Sequence, residues 1–438
     1  SDLKFDSAID SKGKKHQILT ISDAIKLLKD PHDRILRKNT WISYNSSFNN
    51  VKNTLTKTLY YNYLRANKLA QIRNYKDYIE AALDNEEVNE KILLSCYDNI
   101  ALFKNAHIEY RKHRNNLIKQ IHKINNLEPW DLSLDLTTKK IKFSVEQAQD
   151  EVINALSCLG EEYLSVVKKA FKENWISWLP KAHKATGAYS IDNVYGLNKY
   201  YILMNFDGTS DSVSTIAHEM GHSVNSWYIV KHQDVYCGVD MFVAEIASIV
   251  NEMLLNFYWL NKYKNNDSMK LHILENMLST FFGCTSRQIT FSKFEYEANK
   301  LINSGKPFTV NDVEKIYLES RKQYEGVSKK AIEKLNKYPY NLANASILRV
   351  PHFYMNNFYV YKYAVGQIIA LVVADKIYQN DKDMLSKYIK FLSVGQSIPP
   401  LDIIKILDID LIKNDAYKQA LKIVNQLIKQ FKQIKKVR

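Results

Sequence analysis

The sequence predicts a mostly α protein with one small β-sheet set beside a central helix. Three observations predict it. Long stretches carry apolar residues at helical spacing. Gly and Pro are scarce, 12 and 8 in 438 residues. Strand-like patterning is confined to about residues 187–206. With 46% hydrophobic residues there is apolar surface for a large core, built as one big domain or as two lobes.

Taken in order, helical periodicity runs through 49–82, 88–125 and 144–175. The last of these opens on Ser144-Val-Glu-Gln147, which reads as a helix start. Tyr200-Tyr-Ile-Leu-Met-Asn-Phe206 is a short apolar and aromatic run closed by Asp207-Gly208, a strand followed by a turn. Thr209 to Ser212 supply N-cap chemistry, and a helix is predicted from Val213 to about Val230, with no Pro and one Gly. Cys237-Gly238 marks a break. A second apolar helix is predicted from about Met241 to Leu260. Periodicity then continues through 268–302, 311–337, 359–379 and 416–436. Thr309-Val-Asn-Asp312 is another helix start, and Pro399-Pro400 a late turn.

Composition excludes several classes. No run of 18 uninterrupted apolar residues exists, so no membrane span is expected. The first residues, Ser1-Asp-Leu-Lys-Phe-Asp, lack the apolar segment of a secretory leader. Cys96, Cys158, Cys237 and Cys284 are scattered without CxxC spacing, and read as reduced thiols in a cytoplasmic protein. The net charge of +14 comes from Lys and Arg interleaved with acids, dense only in the tail from Lys429 to Arg438. It reads as a solvated surface, with neither nucleic acid nor membrane expected as a partner.

The predicted helix at 213–230 carries His218-Glu-Met-Gly-His222. Positions i and i+4 share a face, so His218 and His222 can grip one metal ion together. Glu219 falls near the remaining coordination position, where it can take a proton from water. The donors suit one Zn2+ per chain. The third ligand is read as Glu245, near the start of the next helix. The rival pattern, GxxH after the second His, fails because Asn225 and Tyr228 stand at those places. Glu252 lies seven residues after Glu245 on the same face. It either orients a ligand His through its free ring N–H or is a solvated charge or ion-pair partner.

A second cluster runs from Pro351 to Tyr363, with His352, Tyr354, Tyr359, Tyr361 and Tyr363. Imidazole and phenol are neutral donors near pH 7, as an oxyanion requires. The same residues fit a helix core, in a chain with 29 Tyr.

Together these motifs resemble oligoendopeptidase F, among the thimet-oligopeptidase-like zinc metallopeptidases of the gluzincin type. The resemblance is carried by Gly187-Ala-Tyr-Ser190, Tyr201 to Phe206, Ile216 to Ser223, Val243-Ala-Glu-Ile-Ala-Ser248 with Asn251-Glu252, Phe294-Glu295 and the Pro351–Tyr363 run. It extends over nearly the whole chain. It implies a large, two-lobed helical metallopeptidase with a deep substrate channel. Residues 1–180 would form a helical lobe portion and 181–438 the zinc-site catalytic region, together one peptidase unit. It implies zinc ligands at His218, His222 and Glu245, with Glu219 as the base. Tyr361 best matches the tyrosine that stabilises the oxyanion, with His352 as its neighbour. Glu252, Tyr354, Tyr359, Tyr189 and Gly208 are expected around the metal ligands or along the substrate. The chain begins where family members are already well into their sequence, so an N-terminal helical portion is expected to be absent. That bears on channel closure and size selection. Val365-Gly366 departs from the small polar residues usual in the family.

The expected activity is zinc-dependent endoproteolysis of short unfolded peptides. The strand at 200–206 is expected to pair with the substrate main chain. One rival is a catalytically weak peptide-binding protein of the same fold, disfavoured because a metal scaffold would not need Glu219. The other is a basic nucleic-acid-binding protein with an incidental HExxH, disfavoured because no recognised module accompanies the charge.

Overall fold

Side-chain caps start many of the helices, which is why short polar clusters separate the long apolar patterns. The computed structural model describes residues 3–137, 142–191 and 200–434. Ser144 and Thr309 close the capping boxes that the sequence predicts, at helices Val145–Ala155 and Val310–Tyr324. Thr209 accepts from the Ser212 N–H and opens the helix Ser210–His232. Just before it Gly208 turns at φ +78, and its carbonyl accepts from the Phe143 N–H at 2.8 Å.

The long periodic stretches resolve into helix pairs. The 144–175 pattern holds Val145–Ala155 and Glu161–Lys172, parted at Gly160 with φ +90. The 268–302 pattern holds Asp267–Cys284 and Ser286–Asn303, parted at Thr285. The 49–82 pattern likewise spans Lys52–Ile72 and Tyr78–Asp84. Its first residues complete an earlier helix, Arg34–Asn50. Breaks of one to five residues between apolar helices are short enough to hide from a periodicity search. Helices Ile21–Leu28 and Lys382–Ser393 lie outside the predicted segments.

The sheet has three strands of two residues each. Ile202–Leu203 lies in the middle, parallel to Ile176–Ser177 and antiparallel to Tyr189–Ser190. The strand expected to pair with substrate therefore has both edges occupied. Beyond it, the Met204 N–H donates to the Ser177 carbonyl and the Phe206 N–H to the Trp178 carbonyl. Among the described residues, the free edge nearest the metal-motif helix belongs to Tyr189–Ser190. Part of the predicted strand region, 192–199, lies outside the described residues, as do 435–438 of the basic tail.

The main hydrophobic core draws residues from Ile79 to Ile434, on both sides of position 180. A smaller core gathers Leu59, Tyr63, Phe291, Phe294, Phe353 and Val360. Through the main core runs the helix Tyr361–Tyr378, apolar nearly all round and buried accordingly. The helix Ala244–Lys262 packs against it on one side and against Ser210–His232 on the other. The second contact is backbone on backbone. A Cβ on Gly221 would lie 2.6 Å from the Ser248 Cα and 2.7 Å from the Ala247 carbonyl oxygen. Among the described residues no helix is long and apolar enough to cross a membrane.

Candidate active site

The Gly221 contact turns the His face of one helix onto the first turn of the next. His218 Nε2 lies 3.4 Å from Glu245 Oε2, and His222 Nε2 lies 3.6 Å from the same oxygen. His218, His222 and Glu245 form a group able to hold one metal ion. A tetrahedral ion with bonds of about 2.1 Å spaces its ligands about 3.4 Å apart. Each His nitrogen stands near that spacing from the Glu245 oxygen, and the three donors lie within 4.8 Å of one another, a set that fits Zn2+.

The supports of these ligands are specific. The His218 Nδ1–H donates to Glu252 Oε1, which leaves Nε2 to face Glu245. The contact fits both an orienting partner and a buried ion-pair partner, two of the sequence readings of Glu252. The Ser248 hydroxyl donates to Glu245 Oε2 at 3.1 Å. Asn251 ties the two helices by donating to the Ala217 carbonyl at 3.1 Å, and accepts from the Tyr163 hydroxyl at 2.9 Å. Electrostatics point the same way. Burial lowers the pKa of His218, but Glu245 and Glu252 outweigh it and raise the imidazole to about 10. Burial opposes ionisation of Glu245, yet His218 and His222 hold its carboxyl well below the usual range. A site this rich in carboxylate holds positive charge, which a divalent cation supplies in place of protons.

Glu219 sits buried beside them. Burial raises its pKa; the two His partly counter this, and the Ser190 N–H donates to it. The Ser190 and Ser223 hydroxyls are 2.8 Å apart. The edge strand is thus fastened to the motif helix at the base. Tyr189, the preceding residue, is 46% exposed on that strand.

The second cluster divides in two. His352 stacks on Tyr359 with ring centroids 5.7 Å apart and stands edge-on to Tyr363 at 6.0 Å. Its Nε2 is 3.5 Å from the Tyr363 hydroxyl. Tyr359 and Tyr363 are in ring contact at 5.3 Å. Burial raises the pKa of both phenols, and the Glu245 carboxylate raises them further, with Tyr363 also acting on Tyr359. Burial lowers that of His352, keeping the imidazole neutral. The influence of Glu245 on both phenols puts Tyr359 and Tyr363 on its side of the cluster. The same helix face presents Gly366, where a Cβ would be 3.8 Å from the Glu245 Cβ.

Tyr361 does not join them. It is fully buried in the main core, its ring 6.0 Å from Phe242, and its hydroxyl has no hydrogen-bond partner. The reason is helical geometry: on the helix Tyr361–Tyr378 two residues turn a side chain by about 200°, so Tyr361 points away from the face of Tyr363. Tyr354 is also occupied elsewhere. Its hydroxyl donates to the Leu348 carbonyl at 2.8 Å. Gly208 serves the backbone turn before the motif helix, where a Cβ would meet the Phe143 carbonyl oxygen at 3.0 Å.

Tyr363 is the residue that sequence reasoning passed over, although its i,i+4 spacing to Tyr359 was visible. Glu295 supports the cluster from behind. Buried in the fold, it accepts from the Phe358 N–H at 2.9 Å and the Tyr63 hydroxyl at 3.4 Å. Phe358 adopts φ +57, a left-handed conformation that this bond holds just before Tyr359.

Comparison with known proteins identifies the family. The profile of peptidase family M3 matches residues 27–423. An oligoendopeptidase F homologue of Mycoplasma genitalium is 39% identical over 423 residues, 96% of this chain and 70% of that protein. The oligopeptidase PepF of Bacillus subtilis is 32% identical over 436 residues, 99% of this chain and 62% of that one. A crystal structure of a protein from Chlamydophila abortus superposes with a TM-score of 0.86 at 27% identity, covering 99% of this chain and 70% of its own. The chain thus spans about two thirds of the length of these relatives.

Proposed function

The chain belongs to peptidase family M3, and from that premise we propose that it is a zinc-dependent endopeptidase cutting short, unfolded peptides. The observation that carries the reading is the meeting of three donor atoms within 4.8 Å of one another with a buried carboxylate beside them. His218, His222 and Glu245 would hold the ion. When bound, zinc supplies Lewis acidity and makes water a nucleophile near neutral pH.

The chain's own residues do the rest. Glu219 accepts the proton of the attacking water and passes it to the leaving amine. Its raised pKa suits both halves of that task. Tyr359, Tyr363 and His352 donate to the oxyanion of the tetrahedral intermediate. The free edge of Tyr189–Ser190 lines up the substrate main chain by strand addition, next to the base it is bonded to. Glu252 fixes the imidazole of His218. The four cysteines are all free, which supports a reducing compartment such as the cytoplasm.

Glu219→Gln tests the reading. The variant should bind zinc normally and lose most peptide hydrolysis, because an amide accepts no proton. Cleavage at the wild-type rate would remove Glu219 from the mechanism.

A further inference from the structure

Beside the active site a cavity of about 860 Å3 opens between the helices Lys104–Ile121, Asp267–Cys284 and Ser286–Asn303 and the segment 346–352. Its charged lining is strongly cationic. Arg111, Arg114, Arg287 and Arg349 contribute to it, against one acid, Glu325, among the described residues.

Two of the four arginines are already engaged. Arg114 pairs with Glu275 and donates to the carbonyls of Leu132 and Leu134 at 3.0 and 3.2 Å. Arg111 donates to the Glu325 carbonyl. The Glu325 carboxylate is itself taken by Arg321 at 3.0 Å. Arg287 and Arg349 have no acidic partner among the described residues. Arg287 lies over the Phe291 ring at 5.2 Å, and Arg349 over Tyr44 and Phe48 at 5.0 and 5.9 Å. A guanidinium stacked on an aromatic face keeps the N–H groups on its edges, in a fork that matches a carboxylate. Arg349 Nη1 is buried with no hydrogen-bond partner among the described residues. A buried donor of that kind carries its full desolvation cost until an acceptor arrives.

The cavity adjoins the reacting groups. His352 lines it and stacks on Tyr359. Cys284 stands between the two regions. Burial first raises its thiol pKa, to about 11, and it feels Glu252 and Glu245 on one side and Arg287 on the other.

We propose that Arg287 and Arg349 seat a carboxylate of the bound peptide in this cavity, so that substrates are positioned from an anionic anchor at a fixed reach from the cleavage site. The carboxylate is either the peptide's C-terminus or an acidic side chain near it. The inference rests on the peptidase reading, and it assigns a specificity that the metal ligands alone do not confer.

The test compares one peptide sequence as free acid and as C-terminal amide, and the amide with either Glu or Gln close to its end. The expected kcat/KM is about 10- to 100-fold higher for a carboxylate-bearing form, the range for a charge-assisted pair. Free acid over amide identifies the terminus as the anchor; Glu over Gln identifies a side chain. The preference should collapse in both Arg287→Gln and Arg349→Gln, and Arg287→Lys should keep part of it. Equal cleavage of all four peptides by the wild type overturns the proposal, whatever the variants do. Calorimetric binding of the same peptides to the Glu219→Gln protein separates the two readings. A carboxylate preference in binding with no wild-type cleavage sinks the peptidase and leaves the anchor standing. Cleavage without preference does the reverse.

Discussion

Gly221→Ala puts one methyl group at the tightest helix contact next to the metal ligands. The new carbon would sit 2.6 Å from the Ser248 Cα and 2.7 Å from the Ala247 oxygen. Carbon atoms pack at about 3.5–4.0 Å, so the helices must part by roughly 1 Å. Both neighbours are backbone, and no rotamer change relieves the overlap. Two stability terms oppose each other. Ala in place of Gly inside a helix gains about 1 kcal/mol, while overpacking costs about 1–3 kcal/mol. The net loss is about 0–2 kcal/mol, and the fold should survive. The metal site is less forgiving. Its donors stand 3.4 and 3.6 Å apart across the two helices, and zinc bonds tolerate about 0.2 Å. A shift several times larger should weaken zinc binding by about 100-fold or more, at least as much as losing an orienting partner does. Competition with a chromophoric chelator measures the affinity, and circular dichroism and melting on the same sample check the fold. A well-folded variant with wild-type zinc affinity would refute the claim that this contact sets the ligand spacing.

Other predictions follow from single residues. Tyr361→Phe removes a buried hydroxyl that has no partner, so turnover should stay near normal and stability should hold or rise by about 1 kcal/mol. Tyr363→Phe should instead lower kcat by about 100- to 1,000-fold with little change in melting temperature; the opposite pattern of rates would restore Tyr361 to the site. Glu252→Gln should cost about 10- to 100-fold in zinc affinity, read by equilibrium dialysis; an unchanged affinity would make Glu252 a bystander. Glu295, whose pKa burial pushes from 4.5 up to about 8, keeps its proton in the folded state while the unfolded chain ionises. Its contribution is therefore fully present below pH 4.5 and is lost as pH rises toward 8, by up to about 1.4 kcal/mol per pH unit. Glu295→Gln should flatten that decline in urea unfolding between pH 5 and 9, and parallel curves for the two proteins would contradict it.

The grouping of His218, His222 and Glu245 was legible in the sequence because local rules place these side chains together. The i,i+4 spacing of His218 and His222 needs only a helix, and Glu245 only a helix that follows and packs on it. The capping boxes at Ser144 and Thr309 were legible for the same reason. The choice among Tyr359, Tyr361 and Tyr363 was not. It depends on which face of the Tyr361–Tyr378 helix meets Ala244–Lys262, a tertiary fact, and on the left-handed turn at Phe358 that sets the phase. Strand order escaped too. The apolar run at 200–206 announced a strand, but an apolar strand is as ready to lie in the middle of a sheet as at its edge. The cationic cavity draws its arginines from positions 111 and 114 on one helix and from 287 and 349 far along the chain, and no local pattern links the three places.

Around residue 360 the chain alternates between the two hydrophobic cores: Phe358 and Tyr361 pack in the larger, Val360 in the smaller. Ala217 and Ile246, neighbours of the metal ligands, belong to the larger body; Tyr363 and Phe353, around the oxyanion donors, belong to the smaller. The two candidate groups thus draw on different cores, joined by the helix Ser286–Asn303, which gives Ile289 and Tyr296 to the larger and Phe291 and Phe294 to the smaller. Each is stiff inside, because close-packed cores resist deformation. Packing in the smaller core therefore bears on the Tyr363 and His352 side more directly than on the spacing of His218, His222 and Glu245. Holding the ion and turning over substrate are thus separable traits. Substitutions that loosen the smaller core can slow the enzyme without releasing its metal.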